Sequence, residues 1–278
     1  MDNSAGSFLI IRNHITRWLM NKNIVYTAMF GLYDNLLDPL VVSKNCDYIC
    51  FTDQKNLSSK VWRFIHVEDN CSPPNLMNRK FKLLPHRYLS HYDNSLYIDS
   101  NIGIKNNPDE LFLRLSKSSS LFAPKHPFRN CIYDELKECY ETRKISYSKM
   151  IDLKKMFEDE GYPKKNGLNE NNILLRMHND ESVIELMNEW YFFLINYSSR
   201  DQLSLRYVAW KKNFAIKILD ESSKKPNKYF FFRQHAASGN GCGWLKRLAM
   251  SISARRADGL VSYCSAKSLD FILCKIKK

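Results

Sequence analysis

The chain has 278 residues, of which 44% are hydrophobic and 13% aromatic, and its formal net charge is +13. This composition predicts an ordinary globular protein with a sizeable core. It contains no run of 18 uncharged apolar residues and no signal-peptide pattern at its start, which argues against a spanning helix and favours a cytoplasmic location.

The cysteines and the charges narrow the class of protein further. The eight cysteines form no CxxC pair and no cluster at zinc spacing, so we expect reduced thiols rather than disulfides or a metal knuckle. Residues 211–278 hold 15 Lys and Arg against 4 Asp and Glu, a net charge of +11. Such a basic end suits nucleic acid, an anionic membrane surface or a phosphorylated ligand, and the alternative is a solvated surface.

Strand and helix patterns alternate along the first half of the chain, which predicts an α/β domain. Short β-branched and aromatic runs predict strands at residues 23–30 and 47–53. Apolar residues at helical spacing predict a helix within residues 74–92, which Pro85 must kink or shorten. The stretch "SLYIDSNIGI", residues 95–104, predicts a buried strand that ends abruptly in polar residues.

The second half continues the alternation. "SLFAPKHP" and "NNILLRM" predict strands on either side of a polar, mainly helical segment at residues 130–157. An amphipathic helix then begins at Asn179 or Asp180 as its N-cap, and "RDQLSLRYVAWKKN" predicts another helix. "FAIKIL" and "KYFFFRQH" predict late strands. We divide the chain into an N-terminal extension (residues 1–22), a main domain (23–239) and a basic tail (240–278).

Asp99 and Asn101 mark the first candidate site. Ligands of open α/β sheets bind beyond the carboxyl ends of the strands, and these two residues follow such an end. Residues two apart in an extended segment face the same way, and paired oxygen ligands of this kind suit Mg²⁺ or Mn²⁺. An Asp-x-Asn turn without metal is the alternative.

The order of motifs resembles the metal-dependent glycosyltransferases of the GT-A fold, especially the retaining family eight enzymes and the glycosyltransferase-like domain of plant mucilage proteins and many bacteria. "LYIDSN" is similar to the Asp-x-Asp motif of that clan, with Asn101 in place of the second Asp. The likeness spans residues 23–235. It implies an α/β, Rossmann-like domain for nucleotide-sugar binding, with a mixed central sheet and a basic helical C-terminal extension.

Two motifs around that strand match the same pattern. "NRKFKLLPHRYL" resembles the clan's Arg-containing helix, which implies that Arg79 and Lys82 contact the sugar or the pyrophosphate. "GLNENNILLRMHN" resembles the strand that supplies sugar-binding polar groups, which implicates Asn169, Asn171 and Asn172. Amides suit this role because hydroxyl groups need both donors and acceptors.

Later motifs complete the implied site. "RDQLSL" resembles the family's Asp-Gln pair, so Asp201 would orient the sugar and Gln202 would lie near the anomeric carbon. His235 resembles the late histidine that completes the metal shell. "KHPFRNCIYDE" is similar to a segment of the mucilage-type domain, which makes His126 and Arg129 candidate substrate or acceptor contacts. A core strand is the alternative for that segment.

The early strands would frame the base and ribose, with Tyr33 stacking on the base. The residues assigned to this role are Thr27, Tyr33 and Asp53. The predicted activity is transfer of a sugar from a nucleotide-diphosphate sugar, with a UDP-sugar favoured, to a glycan or lipid-linked saccharide. The resemblance favours a retaining enzyme of bacterial surface-polysaccharide synthesis that uses Mn²⁺ or Mg²⁺.

The basic tail predicts a further contact. Trp244, Leu245, Leu248 and Ile252 cluster on one side of a predicted helix among basic residues, a pattern suited to an anionic lipid surface. We therefore expect peripheral attachment at the inner face of the cell membrane, and the alternative is a helix packed over the site.

Other function classes fit the chain less well. A nucleotidyltransferase usually carries an early Gly-rich phosphate loop, whereas "TAMFGLYDN" holds only Gly31. A nucleic-acid-binding module would need a recognisable motif, so we expect no nucleic-acid partner. A catalytically inactive sugar-nucleotide-binding relative stays as an alternative, because an amide at position 101 binds metal less strongly than a carboxylate.

Overall fold

A computed structural model describes residues 22–32, 34–68, 72–198, 200–233, 252 and 259–276. Its strands are β1 (Asn23–Met29), β2 (Cys46–Thr52), β3 (Arg63–His66), β4 (Asn94–Ile98), β5 (Ile102–Ile104), β6 (Leu121–Pro124), β7 (Ile173–Arg176), β8 (Lys217–Leu219) and β9 (Phe230–Phe232). Seven of them form a central sheet in the order β3-β2-β1-β4-β7-β6-β8, and β5 pairs with β9 in a small second sheet.

The central sheet is mixed, as expected, because β7 runs against its neighbours. It pairs antiparallel with β4 and β6, whereas β3, β2, β1 and β4 pair in parallel and so do β6 and β8. The start of β7 therefore lies at the same sheet edge as the carboxyl ends of β4 and β6. A hydrogen bond of 2.9 Å from the Asp99 backbone N–H to the Asn172 carbonyl joins the two segments at this edge.

Helices connect and cover these strands. They are α1 (Pro74–Leu83), α2 (Pro85–Tyr88), α3 (Asp109–Phe112), α4 (Ile132–Glu141), α5 (Tyr147–Asp159), α6 (Glu181–Asn196), α7 (Leu205–Lys211) and α8 (Leu260–Ile276), with a 3₁₀ turn at Asp201–Leu203. Helix α1 packs on β1 and α6, α4 packs on α5, and α6 packs on α7.

Alternating residues of the strands supply a core on each side of the sheet. Ile24, Tyr26 and Ala28 of β1 face the layer of long helices, while Val25 and Met29 face the side that holds the β5–β9 sheet. This period of two follows from the pleat. Both faces are apolar, which explains why the strands appear in the sequence as nearly continuous hydrophobic runs.

Local signals place the helix ends. Pro85 lacks a backbone N–H, so the helix predicted within residues 74–92 is broken at Leu84 into α1 and α2. At α6 the Asp180 side chain accepts hydrogen bonds from the backbone N–H groups of Ser182 and Val183, at 3.1 and 3.4 Å. Asp180 is therefore the N-cap, one of the two predicted residues.

The small β5–β9 sheet ties the turn after β4 to the last described strand. The Arg233 backbone N–H donates to the Asn101 carbonyl at 2.9 Å. The Phe231 ring lies against Gly103, where an added Cβ would be 2.1 Å from a ring carbon. Only a residue without a side chain allows this close approach.

The tail contains α8, as expected of a helical C-terminal extension, although its range was not predicted, and its first two side chains, Leu260 and Val261, are largely exposed. Apart from Ile252, the helix predicted from Trp244 lies outside the described residues. Among the helices that the structure describes, none is long and apolar enough to cross a bilayer. The cysteines characterised there are free thiols, in agreement with the expectation: Cys46, Cys50, Cys131, Cys139 and Cys264.

Candidate functional site

A cleft of about 930 Å³ opens at the sheet edge where β1 and β4 end and β7 begins. Its walls come from the loop after β1, from α1, from the turn after β4, from the segment before β7 and from the 3₁₀ turn. Eight predicted site residues line it: Arg79, Lys82, Asp99, Asn101, Asn171, Asn172, Asp201 and Gln202. The structure thus brings together residues that are more than 100 positions apart in the sequence.

A buried ion cluster forms the floor of this cleft. The Lys82 Nζ lies 2.8 Å from Asp201 Oδ2 and 3.4 Å from Asp99 Oδ1, and its side chain is only 1% exposed. The Arg79 Nε lies 3.8 Å from the same oxygen of Asp201. The Tyr97 hydroxyl donates to Asp99 Oδ1 at 2.8 Å. Two cations and two carboxylates therefore meet where β4 ends.

The contacts in this cluster shift the pKa values of Asp201 and Arg79. Burial alone would raise the pKa of Asp201, but the charges of Arg79 and Lys82 and the hydrogen bond from Lys82 outweigh it and hold that pKa well below its ordinary value. Burial likewise opposes the charge of Arg79, and Asp201 and Asp99 raise its pKa above the ordinary value. Asp201 is consequently a carboxylate that serves as an ionic anchor.

The backbone of Lys82 makes a second buried contact, on the core side of the cleft. The Tyr26 hydroxyl donates to the Lys82 carbonyl at 2.9 Å, near the end of α1, and the Arg176 guanidinium donates to the Tyr26 oxygen. Arg176 is fully buried, and burial lowers its pKa. This chain of contacts connects β7, β1 and α1 directly behind the cleft.

Two amides present hydrogen-bond acceptors at the wall. The Asn171 side-chain N–H donates to the Asp201 carbonyl at 2.9 Å, and that of Asn172 donates to Glu170 Oε1 at 3.1 Å and to Ser223 Oγ at 2.8 Å. Because a carbonyl or carboxylate can only accept, these contacts determine the amide orientation. Both Oδ1 atoms are buried and lack a donor among the described residues, a costly state that a ligand hydroxyl or a water relieves.

Glu170 also lines the cleft, although the sequence patterns did not single it out. Only 4% of it is exposed, and its carboxyl group accepts hydrogen bonds from Ser222 at 2.6 Å, Ser223 at 3.3 Å and Asn172 at 3.1 Å. Burial raises its pKa above the ordinary value, against the opposing charge of Lys224. Glu170 could have been predicted as a site residue from its position between the asparagines of "GLNENN".

The predicted metal ligands supply oxygen atoms of the right kind. Asp99 lines the cleft with 30% of its side chain exposed. The Asn101 side-chain nitrogen donates to the Arg233 carbonyl at 3.0 Å, so the amide oxygen is its other polar atom. His235 lies outside the described residues. Within the described ranges no three His, Cys, Asp or Glu residues form a metal-binding group. The carboxylate of Asp99 and the amide oxygen of Asn101 are oxygen ligands of the kind that hard divalent cations take.

The loop after β1 is shaped by Asp53. Gly31 has a φ of +71°, and its backbone N–H lies 3.1 and 3.0 Å from the two carboxylate oxygens of Asp53. The Gln54 side chain donates to the Gly31 carbonyl at 2.7 Å. Asp53 therefore acts on the cleft through Gly31, which lines it. Thr27 is fully buried within β1, away from the wall, and Tyr33 lies outside the described residues.

Three other predicted contacts lie away from the wall of this cleft. Arg129 Nε donates to Glu135 Oε2 at 2.5 Å, and His126 Nδ1 accepts the Arg129 backbone N–H at 3.0 Å. Cys139 donates to Glu135 Oε1 at 3.5 Å, which completes a closed cluster beside α4. Asn169 is 1% exposed, and its amide donates to two carbonyls of β6.

Three further cations of the wall were not predicted. Lys144, Arg200 and Lys224 line the cleft. Arg200 immediately precedes Asp201 in "RDQLSL", so its place in a recognised motif was a usable signal. Lys144 and Lys224 come from polar connecting segments whose sequence carries no periodic pattern.

Comparisons with known proteins give two findings. A family model described as TOD1/MUCI70, glycosyltransferase-like domain, matches residues 2–235. The chain is also similar to the apo structure of the bifunctional glycosyltransferase WbbM, with a TM-score of 0.43 and 13% sequence identity over 72% of this chain and 39% of that one. This chain therefore spans about two fifths of that chain's length. No curated protein matches the sequence.

Proposed function

The chain belongs to the TOD1/MUCI70 glycosyltransferase-like domain family, and we propose that it transfers a sugar from a nucleotide-diphosphate sugar within the cleft at the end of β4. The observation that carries this proposal is the pair of acceptor oxygens on Asn171 and Asn172, set beside the Lys82–Asp201 ion pair. Unsatisfied acceptors favour a ligand rich in hydroxyl groups. The cations beside them favour a ligand that also carries phosphate.

The donor is proposed to lie along β1 and β4, with UDP-sugars as the favoured class. Gly31 and the residues after it would border the nucleotide, and Asp53 would hold that loop in shape. Arg79 would contact the diphosphate or the sugar from α1. Gln202 lines the cleft directly after the anchored Asp201, and its side chain would contact the sugar near the anomeric carbon.

A divalent cation, Mn²⁺ or Mg²⁺, would be held by Asp99, Asn101 and His235 and would stabilise negative charge on the leaving diphosphate. Arg233, which is hydrogen-bonded to Asn101, lies two positions before His235 in the chain. The protein's own contribution is to position the reactants. Asp201, fixed by two cations, and the two amides would hold the sugar hydroxyl groups and restrict the sugar to one orientation.

The proposed reaction forms a bond between an acceptor hydroxyl oxygen and the anomeric carbon while the bond from that carbon to the diphosphate breaks. The hydroxyl proton passes to the departing diphosphate. Retention of configuration is proposed, and it follows from the resemblance to family eight enzymes. The acceptor is proposed to be a glycan or a lipid-linked saccharide of bacterial surface-polysaccharide synthesis.

Binding and turnover of nucleotide sugars test this function. The full chain is incubated with labelled UDP-, GDP-, CMP- and dTDP-sugars with and without Mn²⁺, and Tm and product release are measured. We expect one UDP-sugar to raise Tm and to be turned over, because a ligand of the folded state stabilises it. Asp99→Ala should abolish turnover, while Lys137→Ala, on an exposed helix face, should not. Absence of binding and turnover across the panel would refute the proposal.

The basic tail is proposed to attach the enzyme at the cytoplasmic face of an anionic membrane, near a lipid-linked acceptor. The exposed Leu260 and Val261 at the start of α8 add apolar surface to the tail's positive charge. Sedimentation with vesicles containing phosphatidylglycerol, at low and high salt, measures the attachment. We expect binding that falls as salt rises, and equal binding to neutral vesicles would contradict it.

A further inference from the structure

Three further cations line the cleft besides Arg79 and Lys82. Lys144 follows α4, Arg200 precedes the 3₁₀ turn, and Lys224 lies between β8 and β9, yet all three line the same cleft. The charge of Arg200 also acts on Asp201. Three separate chain segments therefore converge to place positive charge in the cleft.

Lys224 is held in place by the buried Glu170. Ser222 and Ser223 both donate to the Glu170 carboxyl group, and the Lys224 backbone N–H donates to Ser222 Oγ at 3.1 Å. The Lys224 ammonium also lies 2.9 Å from the centre of the Phe232 ring. The backbone hydrogen bond and the contact with the Phe232 ring together hold the Lys224 ammonium at the cleft.

Backbone hydrogen bonds also fix the positions of Arg200 and Lys144. The Arg200 N–H donates to Ser198 Oγ at 3.3 Å, and its side-chain Nε is buried without a hydrogen-bond acceptor among the described residues. The Lys144 N–H donates to the Cys139 carbonyl at 2.8 Å, directly after Arg143, whose φ is +57°. The loop after α4 thus has a defined course.

The cations of the cleft differ in the acidic groups around them. Arg79 and Lys82 pair with the carboxylates of Asp201 and Asp99. Lys144, Arg200 and Lys224 line the cleft together with Glu170, whose pKa burial raises against the charge of Lys224. Lys144 and Lys224 also contribute, after burial and Arg129, to lowering the pKa of His126 to about 4. These three cations therefore add positive charge to the cleft beyond that of Arg79 and Lys82.

We propose that Lys144, Arg200 and Lys224 form a subsite for a phosphate group carried by the acceptor saccharide. This inference rests on the proposed sugar transfer, since it takes the donor's diphosphate to lie at Asp99. Arginine and lysine are the residues that bind phosphate through charge-assisted hydrogen bonds. The acceptor would be a phosphorylated saccharide, either soluble or linked through phosphate to a lipid.

Calorimetric titration of the full chain saturated with UDP tests the subsite. Glucose 6-phosphate serves as the soluble probe and glucose as its neutral control, while a polyisoprenyl phosphate in detergent micelles is compared with the corresponding alcohol. We expect each phosphorylated probe to bind more tightly than its neutral control at low salt. Whichever phosphate binds more tightly identifies the source of the group.

Charge-removing variants then locate the binding. Lys144→Gln, Arg200→Gln and Lys224→Gln should each weaken binding of the preferred phosphate by about tenfold, because a hydrogen bond to a charged group is lost. Affinity for UDP should stay within about twofold of the parent, as expected for a site separate from the donor. Lys137→Gln, an equal charge change on exposed α4 surface, should alter neither affinity.

Two results would overturn the subsite. One is equal affinity for the phosphorylated and neutral probes, and the other is an equal loss of UDP affinity in the three variants, which would assign these cations to the donor. Failure of the proposed function would look different, since the parent protein would then bind no nucleotide diphosphate. The phosphate titration without UDP would still report on the three cations in that case.

Discussion

The chain contains two buried charge clusters that look alike in composition but differ in what surrounds them. Lys82, Asp201 and Asp99 meet at the cleft, with Asp99 partly exposed, whereas Arg129, Glu135 and His126 form a closed set beside α4. Sequence motifs suggested a substrate contact in both. Burial and ion pairing are therefore insufficient signs of a site, and open space beside unsatisfied polar atoms distinguishes the first cluster.

The largest effect is expected from breaking the cleft cluster. Lys82→Met removes the closest counter-charge of the buried Asp201 carboxylate and leaves it with the more distant Arg79 and Arg200, so the free energy of unfolding should fall by about 3–5 kcal/mol. Chemical denaturation measures the loss, and titration with a UDP-sugar should show weaker binding.

A double variant separates stability from function. Lys82→Met with Asp201→Leu removes both charges, so most of the stability should return while sugar-nucleotide turnover stays absent. Recovery of turnover in the double variant would show that the cluster serves folding alone.

A smaller effect is expected from breaking the closed cluster. Arg129→Met leaves Glu135, which is 1% exposed, without its closest cation, and we expect a loss of about 2–3 kcal/mol because Arg129 itself is partly exposed. UDP-sugar affinity, measured by calorimetry on the folded variant, should match that of the parent protein. A tenfold loss of affinity would move this cluster into the site and erase the contrast.

The closed cluster should also produce a pH dependence of stability. Burial first, and then nearby cations, lower the pKa of His126 to about 4 from its ordinary value of 6.5. The unfolded chain then binds more protons between these values, so stability is fully present above pH 6.5 and is lost as the pH falls towards 4. The loss attributable to this group is about 2 kcal/mol between pH 7 and pH 5.

The variant His126→Gln should flatten that part of the stability curve, measured by denaturation at several pH values. The pKa of His178 is lowered to about 4 in the same way, mainly by burial, so a remaining slope of the same sign is expected. An unchanged slope in the variant would mean that the pKa of His126 is the same in the folded and unfolded states, which would contradict this prediction.

The smallest effect is expected at the edge of the cleft cluster. Tyr97→Phe removes the 2.8 Å hydrogen bond to Asp99 Oδ1 but keeps the ring, so the free energy of unfolding should fall by about 1 kcal/mol. Asp99 would retain Lys82 as a partner, so turnover should decrease only modestly in a product-release assay. Complete loss of turnover would show that the phenol itself contacts the substrate.

Much of the fold could be predicted because it follows from local patterns. The hydrophobic runs of β1, β2 and β4, the break before Pro85 and the Asp180 cap are all visible in the sequence. The strands β3 and β5 were not predicted, since β3 ("RFIH") begins and ends with a polar residue and β5 ("IGI") has a glycine at its centre, so neither shows a continuous apolar run. Their pairing with distant strands stabilises them.

The site could be predicted only where its residues belong to motifs. Asp99, Asp201 and the asparagines before β7 were found in this way. The reversal of β7, which brings Asn172 within a hydrogen bond of Asp99, depends on long-range pairing that no local pattern reports. Lys144 and Lys224 were missed for the same reason, because a lysine in a polar loop looks the same whether it faces solvent or a cleft.

The contact between Phe231 and Gly103 has a consequence for how this sequence can vary. A single methyl group at position 103 would displace the ring and loosen the pairing that holds Arg233 beside Asn101. Sequence drift at this one backbone position would therefore alter the cleft although glycine has no functional group. An inherited change there would resemble the loss of a cleft residue in its phenotype while leaving every polar side chain of the cleft in the sequence.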